Sequence, residues 1–147
     1  MTEEREKKIT EIRNECAEVL TPGIVFAVED GWLSLIHTTL NAIERILSQH
    51  SFLGRARVVQ IKEKFGELRI YTRAVDGNEF PEALGDDLGK LNNTISQMSV
   101  VTCERCGDEA ETRNLGGYYQ TLCDKHAEQR QAWVDAGRPG KPWEFGV

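Results

Sequence analysis

The chain has 147 residues, of which 39% are hydrophobic and 29% are charged, and its formal net charge is −6 at pH 7. This length fits one domain with a substantial core, and the composition excludes a disordered or fibrous protein. No apolar run approaches the roughly 20 residues that cross a bilayer, and the charged N-terminus lacks the apolar core of a secretory signal. We therefore expect a protein of the reducing cytoplasm that does not insert into a membrane.

The N-terminal part of the sequence predicts two amphipathic helices. Residues 3–20 carry apolar side chains at helical spacing among charges, and Thr21-Pro22-Gly23 should end this helix. Residues 24–28 form a short apolar run that fits a strand or an extended segment, and Asp30 is the candidate N-cap of a second helix. The apolar stripe of that helix is the strongest predicted core element and comprises Trp32, Leu35, Ile36, Leu40, Ile43, Ile46 and Leu47.

A β-hairpin and a third helix should follow. Residues 56–72 alternate apolar and polar side chains, which indicates two strands. The turn is predicted over residues 63–66, longer than the two-residue Asn-Gly type, with Gly66 able to supply a positive φ. Residues 81–98 then place apolar side chains at the spacing of a narrow helical seam, which we expect to pack in the core rather than in a dimer. The seam comprises Leu84, Leu88, Leu91, Ile95 and Met98.

The C-terminal part of the sequence contains a zinc-site pattern. Cys103, Cys106, Cys123 and His126 follow the spacing C-x2-C-x16-C-x2-H, which suits a tetrahedral Zn²⁺ site. Gly116-Gly117 between the two pairs predicts a second hairpin, and the second pair should open a helix at one turn's spacing. Four protein ligands leave no open position for water, so the sequence predicts one structural Zn²⁺.

Together these elements predict an α+β fold. Amphipathic helices should pack on a small antiparallel hairpin sheet, with a C-terminal treble-clef or zinc-ribbon-like module. We expect an α+β body over 1–100, a zinc-binding module over 101–137 and an extended tail over 138–147. Trp143 and Phe145 lie in the tail, where they either fold back onto the body, which we favour, or anchor a partner.

One segment of the acidic chain is basic. Residues 55–73 hold six cations against Glu63 and Glu67. Phosphates should be repelled by most of the surface, so any nucleic-acid contact would use this segment, although a solvated face is the commoner explanation for such charges. The candidate interaction surface is Arg55, Arg57, Lys62, Lys64, Phe65, Arg69, Tyr71 and Arg73, together with Trp143 and Phe145.

The sequence offers no positive evidence for catalysis. A treble-clef nuclease needs a histidine around the zinc hairpin, yet residues 107–122 contain none. A zinc deaminase needs H-x-E upstream of P-C-x-x-C, whereas Val101-Thr102 precede Cys103. Phosphate-binding glycine loops are also missing from the sequence. We therefore expect a protein that is not an enzyme.

Three motifs together resemble a known group of proteins. These are Asp30-Gly31-Trp32, the stretch KEKFGELR over residues 62–69, and the two zinc-ligand pairs. Over about residues 24–126 the chain is similar to small, uncharacterised proteins of bacteriophages and prophages. The resemblance implies a phage-encoded protein in the host cytoplasm.

The sequence therefore favours a zinc-stabilised interaction protein that binds a host protein, in host takeover or as an anti-defence inhibitor. The alternative is a nucleic-acid-binding regulator that uses the basic hairpin 55–73. A zinc-dependent nuclease is the third possibility.

Overall fold

The described chain, residues 2–146 of a computed structural model, confirms the predicted α+β class. Its α-helices are α1 (Glu3–Glu15), α2 (Leu33–Gln49), α3 (Glu82–Ser99) and α4 (Asp124–Asp135). Its strands are β1 (Phe26–Ala27), β2 (Ala56–Lys64), β3 (Glu67–Ala74), β4 (Glu111–Leu115) and β5 (Tyr118–Leu122). Short 3-10 helices occupy Asp30–Trp32 and Pro142–Glu144. None of the helices in the described range combines the length and apolarity that a membrane span requires.

Helix α1 is shorter than the predicted helix over 3–20. The Thr2 side chain caps its N-terminus by accepting a hydrogen bond from the Arg5 N–H at 3.1 Å. The helix stops at Glu15 because the chain beyond it pairs with the sheet. The Val58 N–H donates to the Val19 carbonyl at 2.7 Å, and Leu20 forms a parallel bridge with Val58. Residues 19 and 20 are thus buried as sheet neighbours, not as helix residues.

Helix α2 carries the predicted apolar stripe, but its N-terminus differs from the prediction. Asp30 does not cap the helix; its carboxylate instead pairs with the Arg5 guanidinium at 2.6 Å, which ties α1 to the segment before α2. Trp32 is fully buried, while Leu35 and Ile46 lie at the margin of the core. The stripe therefore fixes how α2 faces the sheet.

The first sheet has the order β1-β2-β3. Strands β2 and β3 form the predicted antiparallel hairpin, and β1 adds a short parallel pairing that the sequence did not predict. Lys64 pairs with Glu67, so the turn has two residues, Phe65 and Gly66, and the longer turn predicted over 63–66 is wrong. Both turn residues have positive φ, 55° and 80°, as the twist-matched two-residue hairpin turn requires.

The sheet is covered on one face only. Val58, Ile61, Leu68 and Ile70 point into the main core between the sheet and the helices. Side chains alternate along a strand, so the intervening positions of β2 and β3 point away from the helices. Helix α3 covers the β3 side, with its seam buried as predicted at Leu84, Leu88 and Ile95, whereas Met98 is 45% exposed and lies outside the core.

The C-terminal part has a small core of its own. It combines Cys103, Leu115, Leu122 and Ala127 from the β4–β5 hairpin, the preceding loop and α4. The tail is not extended as predicted: Pro142–Glu144 forms a 3-10 turn, and Trp143 packs against this small core. The tail therefore folds back onto this C-terminal core, which carries the four predicted ligands and which we call the metal-binding region.

Candidate metal centre

The structure brings the four predicted zinc ligands together. Cys103 and Cys106 lie on the loop before β4, Cys123 sits at the N-cap of α4, and His126 lies in the first turn of α4. Their ligand atoms all fall within 4.8 Å of one another. The loop over residues 102–107, which we call the knuckle loop, thus supplies the first two ligands, and the N-terminal end of α4 supplies the other two.

The separations of these atoms fit a tetrahedral metal ion. The Sγ atoms of Cys106 and Cys123 are 3.8 Å apart, and the His126 Nδ1 lies 3.7 Å from the Cys103 Sγ and 3.2 Å from the Cys123 Sγ. Zn–S bonds of about 2.3 Å give S···S edges of about 3.8 Å in a tetrahedron. A disulfide would need about 2.05 Å between the sulfurs, so these free thiols are arranged for a metal and not for each other.

Backbone N–H groups of the knuckle loop and of the α4 N-terminus stabilise the thiolate form of Cys103. Burial raises the pKa of the Cys103 thiol, but the backbone N–H groups of Cys123, Cys106 and Arg105 outweigh it, so the pKa is lowered overall. Burial and the neighbouring sulfurs raise the pKa of Cys106 to about 12. One thiolate is therefore stabilised by the fold itself, while Cys106 needs a cation nearby to lose its proton.

His126 is held in the form that binds metals. Burial, together with the charges of Lys125 and Arg105, lowers the pKa of its imidazole. A lowered pKa keeps the ring neutral at neutral pH, and only the neutral ring has a lone pair for a metal ion. The Cys3His set therefore fits Zn²⁺ in donor type and distance, and the neutral His126 ring also fits in protonation.

The knuckle loop packs directly on the segment before α2. The Gly31 N–H donates to the Glu104 carbonyl at 2.7 Å, and the Trp32 indole N–H donates to the Thr102 carbonyl at 2.9 Å. A Cβ on Gly31 would lie 2.1 Å from the Cys103 carbonyl oxygen. The Asp-Gly-Trp motif thus forms the surface on which the knuckle loop packs. The motif is conspicuous in the sequence, but its sequence alone does not indicate this role.

A second junction holds the β2–β3 turn. Gly66 is buried against the β4–β5 hairpin, where the Thr121 hydroxyl donates to its carbonyl at 2.6 Å. Glu104, between the first two cysteines, is also buried, and its carboxylate accepts from the Thr121 N–H at 2.6 Å. Burial raises the pKa of Glu104 to about 7. Thr121 therefore connects the metal-binding region to the β2–β3 turn.

The tail covers one side of the ligand cluster. The Trp143 ring meets the His126 ring edge-on at 5.6 Å between centroids, and the Arg105 guanidinium lies 5.5 Å from the Trp143 ring. The Gln129 side-chain amide donates to the carbonyls of Trp143 and Phe145. Both tail aromatics are half-buried, so they lie folded back on the metal-binding region.

The cations and rings of the basic segment 55–73 lie in three places: on the outward side of the sheet, before β2 and at the β2–β3 turn. The outward positions of β2 and β3 share one side of the sheet and include Gln60 and Glu67. The other outward positions that carry a cation or a ring form the set that we call the basic face: Arg57, Lys62, Lys64, Arg69, Tyr71 and Arg73. Arg55 precedes β2 and stacks on the Phe52 ring at 4.1 Å. Phe65 stands at the turn with 68% of its surface exposed. The sequence missed Tyr119 on β5, whose ring contacts Phe65 at 6.4 Å between centroids.

A second group of potential ligands lies on the helices, formed by Glu11, Glu15 and His37. The His37 Nε2 contacts a Glu15 carboxylate oxygen at 2.5 Å, and the Lys8 ammonium lies 3.3 Å from the His37 Nδ1. An ammonium donor fixes the ring so that the Nε2 carries the proton and donates to Glu15. Lys8, His37 and Glu15 thus form a chain of polar contacts between α1 and α2.

Neither the family models nor the curated proteins nor the solved structures compared with this chain give a match.

Proposed function

We propose that this protein is a zinc-stabilised, non-enzymatic interaction protein whose binding surface is the basic face. The observation that carries the proposal is the placement of cations on one uncovered side of the sheet, in a chain whose overall charge is −6. The hydrogen bond from Thr121 to Gly66 supports the proposal. Through this bond, a region ordered by the metal fixes the position of the β2–β3 hairpin, which carries the basic face.

The metal in this proposal has a structural role. Three thiolates and one imidazole fill a tetrahedral sphere with protein ligands, which leaves no site for an activated water. The order of knuckle, hairpin and helix supports the assignment of the region to the treble-clef class. Zinc binding then contributes folding free energy to the region.

The partner in this proposal carries negative charge that complements the basic face. The resemblance to phage and prophage proteins suggests a host protein as that partner, with host takeover or inhibition of a defence system as the outcome. A nucleic acid meets the same electrostatic requirement. A zinc-dependent nuclease has the least support, because the four ligands close the metal sphere, and cleavage of nucleic acid by the pure protein with added Mg²⁺ would contradict the non-enzymatic role.

Affinity capture from a bacterial lysate, with and without nuclease treatment, tests the proposed surface. The bait is the full chain, compared with the Lys64→Ala/Arg73→Ala variant, which removes two exposed cations from the basic face. The Lys7→Ala/Lys90→Ala variant is the matched control, because it removes the same charge from exposed positions on α1 and α3. We expect a partner that is lost with the first variant and kept with the second; equal capture by both would contradict the proposed surface.

A further inference from the structure

Cations and aromatic rings form one line across the two hairpins. The Tyr71 ring lies between the Lys62 ammonium at 5.7 Å and the Arg73 guanidinium at 5.8 Å. At the turn, the Lys64 ammonium lies 5.7 Å from the Phe65 ring, and Phe65 contacts Tyr119 edge-on. We call this line the aromatic–cationic path: Arg73, Tyr71, Lys62, Arg69, Lys64, Phe65 and Tyr119. The β3 residues of the path, from Arg69 to Arg73, span four residue steps, or about 13 Å.

Few carboxylates neutralise this path. Among residues 2–146, the ion pairs within 4.0 Å include only one cation of the path, Arg69, whose Nε lies 3.4 Å from a Glu67 carboxylate oxygen. Glu67 is itself shared, because it also accepts from the Ser96 hydroxyl at 2.6 Å. The path therefore keeps a net positive charge available to a ligand.

Two of the three rings of the path are largely exposed, and the third, Tyr71, is half-buried. Phe65 is 68% exposed and Tyr119 is 49% exposed. Phe65 also has a φ of 55°, a conformation in which Gly or Asn is far less strained than a bulky side chain. Strained non-glycine residues that persist in a fold cluster at ligand contacts, so the turn points to a use for the exposed ring.

The chemistry of the path matches unpaired nucleotides. Exposed rings stack on bases, and cations between them contact the phosphates that connect those bases. In a duplex the base faces are already stacked, so exposed rings gain contacts only from a strand whose bases are free. An acidic protein would satisfy the cations but would leave the line of rings without matching faces.

We propose that the aromatic–cationic path binds single-stranded nucleic acid, with bases stacked on Tyr71, Phe65 and Tyr119 and phosphates on the intervening cations. This inference rests on the proposed function, because it uses the same basic face, and of the two partners that fit that charge it takes the nucleic acid in place of the host protein. It extends that surface across the junction onto β5. The metal-binding region thus contributes a ring to the site as well as holding the hairpin.

Fluorescence anisotropy with a labelled oligodeoxythymidylate of about 15 nucleotides tests the inference, a length that a small single-strand-binding fold can cover. We expect the full zinc-loaded chain to bind it and to prefer it over a duplex of matched length. The Tyr119→Ala and Phe65→Asn variants should each weaken binding on the order of tenfold. The Lys64→Ala/Arg73→Ala variant should lower the slope of log affinity against log salt by about 0.7 for each cation removed.

Matched controls separate the path from the rest of the surface. Tyr118 is also an exposed tyrosine of β5, but its ring lies beside Arg130 and Arg138 on the other side of the hairpin. Tyr118→Ala and Lys7→Ala/Lys90→Ala should leave affinity unchanged. Equal losses at Tyr118 and Tyr119, or a preference for duplex with no effect of the ring variants, would overturn the inference, as would an absence of binding.

Two outcomes separate this inference from the proposed function. If the oligodeoxythymidylate does not bind, yet nuclease-treated lysate yields a partner that depends on Lys64 and Arg73, the single-strand inference fails and the interaction surface stands. If neither the oligonucleotide nor any captured partner depends on these two cations, both fail.

Discussion

At the scale of single residues, Gly31 has the strictest steric requirement near the metal centre. Its missing side chain lets the knuckle backbone approach, since an added Cβ would meet the Cys103 carbonyl oxygen at 2.1 Å and the Glu104 carbonyl carbon at 2.6 Å. Real Cβ atoms do not come this close to backbone atoms, so any side chain at this position must separate the knuckle from the body. The clash would be with backbone atoms, and these cannot move away as the end of a flexible side chain can.

We predict that Gly31→Ala lowers the free energy of unfolding by about 3 kcal/mol or more, as buried steric conflicts do. Urea unfolding of the zinc-loaded protein, followed by circular dichroism, measures the change. Gly89→Ala is the matched control with the opposite sign: nothing lies within 4 Å of its added Cβ, and it sits within α3, so the variant should gain about 1 kcal/mol. Similar effects of the two substitutions would show that the close approach at Gly31 does not limit stability.

At the scale of elements, the C-terminal 3-10 turn acts as a cover for the ligand cluster. Trp143 packs against His126 and Arg105, while Gln129 holds the backbone of the turn. Residues that orient metal ligands from outside the coordination sphere usually affect metal affinity by 10- to 100-fold. The tail is thus expected to slow metal exchange.

We predict that Trp143→Ala speeds transfer of zinc to a chromophoric chelator on the order of tenfold. Trp143→Phe is the control, because a smaller ring preserves an edge-on contact with His126. Stopped-flow absorbance of the chelator complex gives both rates. Identical rates for the alanine variant and the unmodified chain would mean that the tail covers the cluster without protecting it.

At the scale of the whole molecule, the metal-binding region is built into the body at two places. Gly31 and Trp32 contact the knuckle, and Gly66 contacts Thr121 on β5. These contacts link the metal centre to the start of α2 and to the tip of the body hairpin. Loss of metal should therefore loosen parts of the body that are distant in sequence.

We predict that chelation of zinc increases hydrogen exchange at Asp30–Trp32 and at the β2–β3 turn, as well as in the metal-binding region itself. Helix α1 should keep its protection, because it packs on α2 and its Arg5 and Arg13 side chains donate to the carbonyls of Phe26 and Ile24, none of which take part in the two junctions. Exchange followed by mass spectrometry before and after chelation provides the map. A change confined to residues after 100 would contradict this coupling.

The elements that sequence analysis located correctly are those fixed by local pattern. Residues close together in the sequence are enough to predict the apolar stripe of α2, the alternation of β2 and β3, and the spacing of the four ligands. Two of the errors arose where distant contacts decide the structure. Asp30 pairs with Arg5 instead of capping a helix, and residues 19 and 20 leave α1 to pair with Val58. The sequence also could not show that Gly31 allows the close approach of the knuckle loop, because that loop is more than 70 residues away in the chain.

The fully buried indole of Trp32 has a practical consequence. Its N–H donates to the Thr102 carbonyl, one residue before the first metal ligand, so its surroundings change if the knuckle moves. In a Trp133→Phe/Trp143→Phe background, Trp32 is the only tryptophan in the sequence. We predict that zinc removal shifts its fluorescence emission to longer wavelength as water reaches the ring, and an unchanged spectrum would show that the knuckle stays seated without metal. A shift of this kind would make Trp32 an intrinsic optical probe of metal occupancy, read from the body side of the junction.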